Sequence, residues 1–165
     1  MNISEIPDKS RVIIDTNILL YAIENVSTEC VELLRRCAVS EIYGIIPTNV
    51  LAEFMHIRMM AEAKESGINP GSNPARKLSE KPEIIRNLKR YHSEIRDLLE
   101  IGFKVEPVLL EDHTASLQVQ QKYGLLTNDS LIVSLAERLR INKIVTADKA
   151  FHRVDGLEIH SPSDV

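Results

Sequence analysis

Four acidic residues, far apart in the chain, occupy positions from which their carboxylates could meet. Asp15 and Asp148 each follow a short, β-branched apolar run, while Glu53 and Asp129 each lie along the apolar stripe of a helical segment. In open parallel sheets, ligands bind at the carboxyl ends of strands, which is where Asp15 and Asp148 are expected. A carboxylate turned toward a core is costly unless it is paired or bound to a cation, so Glu53 and Asp129 are also candidate ligands.

A cluster of these four carboxylates would need a compensating charge. Carboxylates a few ångströms apart repel one another strongly in a cleft, so the cluster must hold a proton, a Lys or Arg, or a divalent cation. No Lys or Arg is obviously assigned to that role, and ligands that are all oxygen favour Mg²⁺ or Mn²⁺ over zinc. Such an ion, held by carboxylates and water, is typical of sites that act on phosphates.

Each residue taken singly also has a structural interpretation. Asp15 and Asp148 are suitable helix caps, and a lone Asp before a helix is more often a cap than a ligand. A helical glutamate such as Glu53 is more often solvated than bound to a metal. Only the joint pattern of the four residues favours a functional site.

The elements that must position these residues alternate between strand and helix. Apolar β-branched runs predict strands at 11–15, 42–46, 104–109, 143–146 and 157–160, and helical periodicity predicts helices at 18–25, 28–39, 47–61, 84–100, 112–122 and from Thr127 or Asn128 to 139. On the predicted helix 28–39, the apolar face is formed by Val31, Leu34 and Ala38. The alternation predicts an α/β sandwich with a mostly parallel sheet, and residues 1–165 are expected to form a single domain.

One segment interrupts this alternation. Residues 65–83 are rich in Gly, Pro, Ser and charge, which predicts an exposed loop, and the charged helix 84–100 comes next; the two together indicate an insertion at about 65–100. The stretch 58–104 carries ten Lys and Arg against seven Asp and Glu, which makes it the best candidate for a phosphate-facing arm.

Composition narrows the class of protein. With 165 residues, 44% hydrophobic and 27% charged, the chain can bury a core without covalent crosslinks. A net charge of -4 argues against binding nucleic acid by bulk electrostatics, and the scarcity of aromatics, with no Trp, argues against base stacking as the main mode of recognition.

Cys30 and Cys37 are about two helical turns apart, beyond disulfide reach, and are expected to be reduced core residues. No signal segment or membrane span is apparent, so we expect a cytoplasmic protein.

The order of these motifs resembles that of a known family. Asp15-Thr16-Asn17 after an apolar strand, Glu53 in a helix opened by Pro47-Thr48-Asn49, the run from Asn128 to Ile132, and Thr146-Ala-Asp148 before Gly156-Leu-Glu-Ile are similar to the ordered motifs of PIN-domain ribonucleases, including VapC-type toxins. The resemblance covers nearly the whole chain except residues 65–100. No single motif is specific, and the resemblance depends on their order, spacing and placement.

This resemblance implies a three-layer α/β/α sandwich and Mg²⁺- or Mn²⁺-dependent hydrolysis of RNA by an activated water. Asp15 and Asp129 would be the principal metal ligands, with Glu53 and Asp148 completing the cluster. Thr16, Asn17 and Thr146 would supply supporting hydrogen bonds, although they are equally suitable as caps. It further implies a homodimer and inhibition by a cognate antitoxin protein.

Two features depart from the family pattern, and three other functions stay open. Many relatives have a further acidic residue where this chain has Ala150, and the segment 65–100 is longer than in the compact toxins. The alternatives are an RNA-processing PIN nuclease without an antitoxin, a non-catalytic PIN-like scaffold that binds RNA or protein, and a phosphatase-like Mg²⁺ enzyme. The last is disfavoured because Asp15-Thr16-Asn17 lacks a second Asp two residues on.

Overall fold

The computed structural model of the chain describes residues 1–67 and 73–165. Its strands are β1 (Arg11–Ile14), β2 (Tyr43–Pro47), β3 (Lys104–Glu106), β4 (Lys143–Val145) and β5 (Glu158–His160). Its helices are α1 (Thr16–Ile23), α2 (Thr28–Ala38), α3 (Thr48–Glu65), α4 (Pro74–Ser79), α5 (Pro82–Asn87), α6 (Arg90–Glu100), α7 (Leu110–Tyr123) and α8 (Thr127–Leu139). Two short 3₁₀ helices span Ile3–Glu5 and Lys149–Arg153. Within the described ranges, no helix is both long and apolar enough to cross a membrane.

The five strands form one parallel sheet in the order β3-β2-β1-β4-β5. This confirms the predicted three-layer α/β/α sandwich. After β1, the chain adds β2 and β3 on one side of that strand and later adds β4 and β5 on its other side. The order therefore reverses between β1 and β4, and the crevice at their carboxyl ends is where such sheets bind ligands.

The central strands are buried because helices cover the sheet. Val12, Ile13 and Ile14 of β1 are all fully buried, as expected for a parallel strand inside an α/β protein. There is no room for a side chain at Gly44 on the neighbouring strand β2, because a Cβ there would lie 2.7 Å from the ring of Phe103. The core is mostly aliphatic, with Phe54 and Phe151 as its largest fully buried side chains.

The prediction of a loop at 65–83 followed by one helix at 84–100 is wrong in part. Residues 74–79 form α4, and the predicted helix is divided into α5 and α6 at Leu88 and Lys89; residues 68–72 of the predicted loop lie outside the described residues. The division has a tertiary cause. The Glu62 carboxylate on α3 accepts hydrogen bonds from the backbone N–H groups of Lys89, Arg90 and Tyr91, so it caps a new helix start.

Buried charge anchors α6 to the helices that carry the predicted site. Arg58 on α3 is 8% exposed and donates to both carboxylate oxygens of Glu94 on α6, at 2.7 and 2.9 Å, and also to Glu24 after α1. Arg58 therefore cannot face a phosphate from solvent. Other basic residues of the predicted arm are ion-paired as well, namely Arg76, Arg90 and Lys104. A phosphate-facing role for the rest of that arm stays a prediction.

Three smaller predictions also need correction. Strand β3 ends at Glu106 rather than 109, and α7 begins at Leu110 rather than 112. The predicted apolar face of α2 is right for Leu34 but wrong for Val31, which is 40% exposed, and for Ala38, which is also exposed. The helix is rotated so that Cys30, Leu33 and Cys37 face the core beside Leu34. Both cysteines are free and buried, as the sequence predicted.

Candidate active site

A cleft of about 530 Å³ opens at the carboxyl ends of β1 and β4, and it brings the four predicted acidic residues together. It is lined by Asp15, Thr16, Asn17, Leu20, Glu53, Ile57, Leu126, Thr127, Asn128, Asp129 and Asp148. Thr146 lies behind this lining and is fully buried. All the predicted site residues thus lie in or directly beneath one cleft.

Asp15 is the most buried of the four carboxylates, with 7% of the residue exposed. It follows β1 and is the N-cap of α1, accepting a hydrogen bond from the Thr16 backbone N–H at 2.7 Å. The Thr146 hydroxyl and the Asn17 amide donate to its other oxygen at 2.6 and 2.7 Å. Burial raises the pKa of Asp15, as does the charge of Glu53, while these hydrogen bonds act in the opposite direction. The capping role and the placement in the cleft therefore coexist.

Glu53 reaches the cleft from the second turn of α3. The hydroxyl of Thr16 donates to its carboxylate at 2.9 Å, and the amide of Asn128 approaches the same oxygen at 3.5 Å. Thr16 is fixed in turn as the first residue of α1. Glu53 is therefore held toward the cleft by groups from two other helices.

Asp129 is the carboxyl group of the cleft on which the charges of all three others act. Burial and the negative charges of Asp15, Asp148 and Glu53, in that order, raise its pKa to about 6, while the backbone N–H of Leu126 acts in the opposite direction. Each of the other three carboxylates therefore acts on Asp129. This is the mutual repulsion that the sequence pattern predicted for a cluster.

Asp148 is the exposed member of the group and stands just before a 3₁₀ helix. It accepts from the Ala150 N–H at 2.7 Å, so the predicted cap is also present. The backbone N–H of Asp148 donates to the hydroxyl of Thr146 at 3.0 Å, and the Asn17 side-chain oxygen accepts from the Ala147 N–H at 3.0 Å. Thr146 and Asn17 thus connect the loop after β4 to Asp15.

The donor set of the cleft fits a hard divalent cation in its chemistry. Four carboxylates supply only oxygen ligands, and none of the lining residues is Lys or Arg, so their charge needs another source of compensation. The N-termini of α1 and α8 face the cleft and contribute partial positive charge. In the described part of the chain, no three His, Cys, Asp or Glu side chains converge closely enough to hold an ion as they stand. The carboxylates would have to draw together around a cation.

Five residues of the cleft lining were not functional candidates from the sequence, namely Leu20, Ile57, Leu126, Thr127 and Asn128. Thr127 or Asn128 was predicted to cap α8, but the helix begins at Thr127, and Leu126 is its N-cap residue with no side-chain cap bond. Asn128 therefore lies inside the first turn, with its amide near Glu53, and Leu126 extends beside the carboxylates. Leu126 and Asn128 lie close to Asp129 in sequence, and this proximity could have identified them. It was overlooked because Thr127 and Asn128 were interpreted as helix caps.

Comparisons of the sequence with known proteins agree with this geometry. Residues 12–157 match the family model described as PIN domain. The chain is 30% identical over 154 residues to Ribonuclease VapC2 of Methanocaldococcus jannaschii, a similarity that covers 92% of this chain and 94% of that protein. It is 32% identical over 85 residues to Ribonuclease VapC6 of the same organism, covering 47% of this chain and 56% of that protein.

Solved structures share the fold. One is the crystal structure of VapBC2 from Rickettsia felis bound to a DNA fragment from their promoter, with a TM-score of 0.60, 18% identity, and coverage of 92% of this chain and 98% of that one. Another is a toxin-antitoxin complex from Klebsiella pneumoniae, with a TM-score of 0.55, 19% identity, and coverage of 89% and 95%.

Proposed function

This chain belongs to the PIN-domain family, and we propose that it is a divalent-metal-dependent endoribonuclease that hydrolyses RNA phosphodiester bonds. The observation that carries the proposal is the cleft in which Asp15, Glu53, Asp129 and Asp148 meet, where each of the other three raises the pKa of Asp129. The similarity to two proteins named as ribonucleases supports the choice of RNA as the substrate.

We further propose that the resident ion is Mg²⁺ or Mn²⁺. Asp15 and Asp129 would be its principal ligands, because they are the carboxylates whose pKa values both burial and neighbouring carboxylates raise. Glu53 and Asp148 would complete the cluster. When bound, such an ion lowers the pKa of a coordinated water and stabilises negative charge on the leaving oxygen.

The protein's own groups would fix the geometry of this chemistry. Thr146 and Asn17 hold one oxygen of Asp15, and Thr16 holds one oxygen of Glu53, so both carboxylates are oriented before a substrate arrives. Asp148 and Glu53 would accept hydrogen bonds from the attacking water and direct it toward phosphorus. Thr16, Asn17 and Thr146 would be positioning residues.

A cleavage assay tests the proposal. Purified protein is incubated with a panel of structured and unstructured RNAs and Mn²⁺, alongside an EDTA control, the Asp15→Asn variant, and Asp155→Asn, an exposed aspartate outside the cleft. We expect cutting that requires the metal, survives Asp155→Asn and disappears in Asp15→Asn. Intact RNA at full metal occupancy and measurable RNA binding would refute the proposal and favour a non-catalytic scaffold.

We also propose that the protein is the toxin of a toxin-antitoxin pair in the cytoplasm, where it acts as a homodimer inhibited by a cognate antitoxin. The proposal is supported by fold similarity to two toxin-antitoxin complexes. Expression of the chain alone should arrest growth of the host, and Asp15→Asn should restore growth. Unimpaired growth with an active enzyme would instead indicate an RNA-processing nuclease without an antitoxin.

A further inference from the structure

We propose that the apolar residues of the cleft lining, Leu20, Ile57 and Leu126, termed here the apolar wall, receive the unstacked base of the nucleotide next to the scissile phosphate. The inference rests on the proposed function, since it specifies how that cleft would hold RNA. Two helices and a turn supply the wall: Leu20 comes from α1, Ile57 from α3, and Leu126 from the turn that immediately precedes α8.

Leu126 is the exposed part of this wall. The residue is 78% exposed, although its backbone is fixed as the N-cap of α8, with its carbonyl accepting from Ser130 N–H at 2.9 Å. It stands three residues before Asp129, so the turn that places the candidate metal ligand also places the leucine. Because the backbone of Leu126 is fixed, placing this apolar side chain beside a substrate requires no ordering of the loop on binding.

The charge of the cleft requires a contact that is not ionic. RNA-binding surfaces usually gain affinity from Lys and Arg at phosphates, but the residues lining this cleft include four carboxylates and no basic residue. A cation can bridge one phosphate to the carboxylates, but the flanking nucleotide must be held otherwise. The apolar wall and the neutral polar residues beside it are the parts of the lining that can bind it without repulsion.

The chemistry of the wall favours a base as its occupant. No aromatic residue lines the cleft within the described residues, so packing of a base face on aliphatic carbon replaces aromatic stacking. Thr127 and Asn128 are exposed beside Leu126 and offer hydrogen-bonding groups to a base edge or a 2′-hydroxyl. Base faces are stacked inside an A-form helix, so the wall would select a nucleotide that is unpaired.

The test compares RNA with and without bases. Binding of fluorescent oligouridine, of the same ribose-phosphate chain lacking bases, and of duplex RNA is measured with all four cleft carboxylates intact and with Ca²⁺ in place of Mn²⁺, a cation that also takes oxygen ligands and with which hydrolysis is expected to stop. Leu126→Ser is compared with Leu126→Met, which keeps an apolar side chain. Leu117→Ser is the matched control, because Leu117 is 59% exposed on α7 and does not line the cleft. Melting temperatures of all variants confirm that they are folded.

We expect Leu126→Ser to weaken binding of oligouridine by about fivefold to tenfold, which is what partial burial of a leucine side chain is worth. Binding of the baseless chain should not change, and Leu126→Met and Leu117→Ser should behave like the parent. If Leu126→Ser weakens the binding of oligouridine and of the baseless chain equally, or weakens neither, the inference is overturned. If the wild type cuts RNA while Leu126→Ser leaves base dependence unchanged, only the apolar wall is refuted. A wild type that neither binds nor cuts RNA refutes the proposed function as well.

Discussion

Carboxylates occupy two contrasting regions of this molecule, the cleft and an ion-pair cluster around Arg138 that joins β3, α7 and α8. In the cluster, Arg138 donates to Asp112 at 2.8 Å, to Glu106 at 3.2 Å and to the Pro107 carbonyl at 2.9 Å. Hydrogen bonds from Lys104 and then Arg138 lower the pKa of Glu106. In the cleft, burial and neighbouring carboxylates raise the pKa of Asp129 to about 6.

The balanced charges of the Arg138 cluster are compatible with stability, whereas the unbalanced charges of the cleft indicate a binding site. Asp112 is 1% exposed yet balanced by an arginine, so its burial is compatible with stability. The cleft carboxylates are crowded without a basic partner among the lining residues, an arrangement that lowers the stability of the folded protein at neutral pH. Unbalanced charge at the carboxyl ends of parallel strands is therefore the physical signature of a binding site rather than of the core.

The largest effect is expected for Asp129→Asn on cleavage. Removal of one carboxylate from the cluster should reduce the single-turnover rate with Mn²⁺ by about 10²- to 10³-fold, the range seen when one preorganised electrostatic group is lost from an active site. Glu111→Gln, an exposed residue at the edge of the Arg138 cluster, is the control and should leave the rate unchanged. Rates within threefold of each other for the two variants would contradict the contrast between the regions.

In the balanced region, Arg138→Met should reduce stability rather than chemistry. Loss of the guanidinium leaves Asp112 buried without its partner, and we expect the free energy of unfolding to fall by about 3 kcal/mol. Urea denaturation measures this change. The cleavage rate per folded molecule should be unaltered, because Arg138 does not line the cleft. An unchanged urea midpoint would show that the cluster is not a source of stability.

Replacement of Thr146, a positioning residue, should cause a smaller effect, which is a loss of metal affinity. Thr146→Val removes the hydroxyl that donates to Asp15 and accepts from the Asp148 N–H, so metal affinity should fall by about 10- to 100-fold. Thr146→Ser retains the hydroxyl and should recover most of the affinity, as measured by calorimetric titration with Mn²⁺. If the serine and valine variants bind the metal equally well, the hydroxyl does not orient Asp15.

The smallest effects are opposite responses of stability to pH. The pKa of Asp129 is raised in the folded protein, so its ionisation lowers stability as pH rises from 3.8 through about 6. In EDTA, the melting temperature of Asp129→Asn minus that of the wild type should therefore increase as pH rises across this window. A difference in melting temperature that does not change with pH would show that the Asp129 environment is not repulsive.

Asp164 provides the opposite case. Its carboxylate accepts hydrogen bonds from Ser27, Thr28 and Glu29 at the start of α2, which lowers its pKa to about 2. The stability it contributes is present above pH 3.8 and is lost as pH falls through about 2. The melting temperature of Asp164→Asn should lie below that of the wild type at pH 5, and the two should converge near pH 2. Curves that stay parallel to pH 2 would rule out this contribution.

The strands, and the positions of Asp15 and Asp148 just after two of them, were predictable because both depend on local pattern. A buried β-branched run that ends at Asp15, or at Thr146-Ala-Asp148, marks both the carboxyl end of a strand and the carboxylate placed there. The break between α5 and α6 was not predictable, because its cap is Glu62, which lies 27 residues from Lys89 in sequence. The place of Leu126 in the cleft was likewise hidden, since Thr127 and Asn128 are good caps by residue type and only the fold places them inside the helix.

Calorimetric titration with Mn²⁺ most directly tests whether the cleft carboxylates are kept together for a metal ion. Wild type and Asp129→Asn would be titrated beside Asp164→Asn, which removes a carboxylate from outside the cleft. We predict that the wild type and Asp164→Asn bind the ion with equal affinity, while Asp129→Asn binds at least about tenfold more weakly. Equal binding by all three proteins, or no binding by the wild type, would contradict a metal site in this cleft.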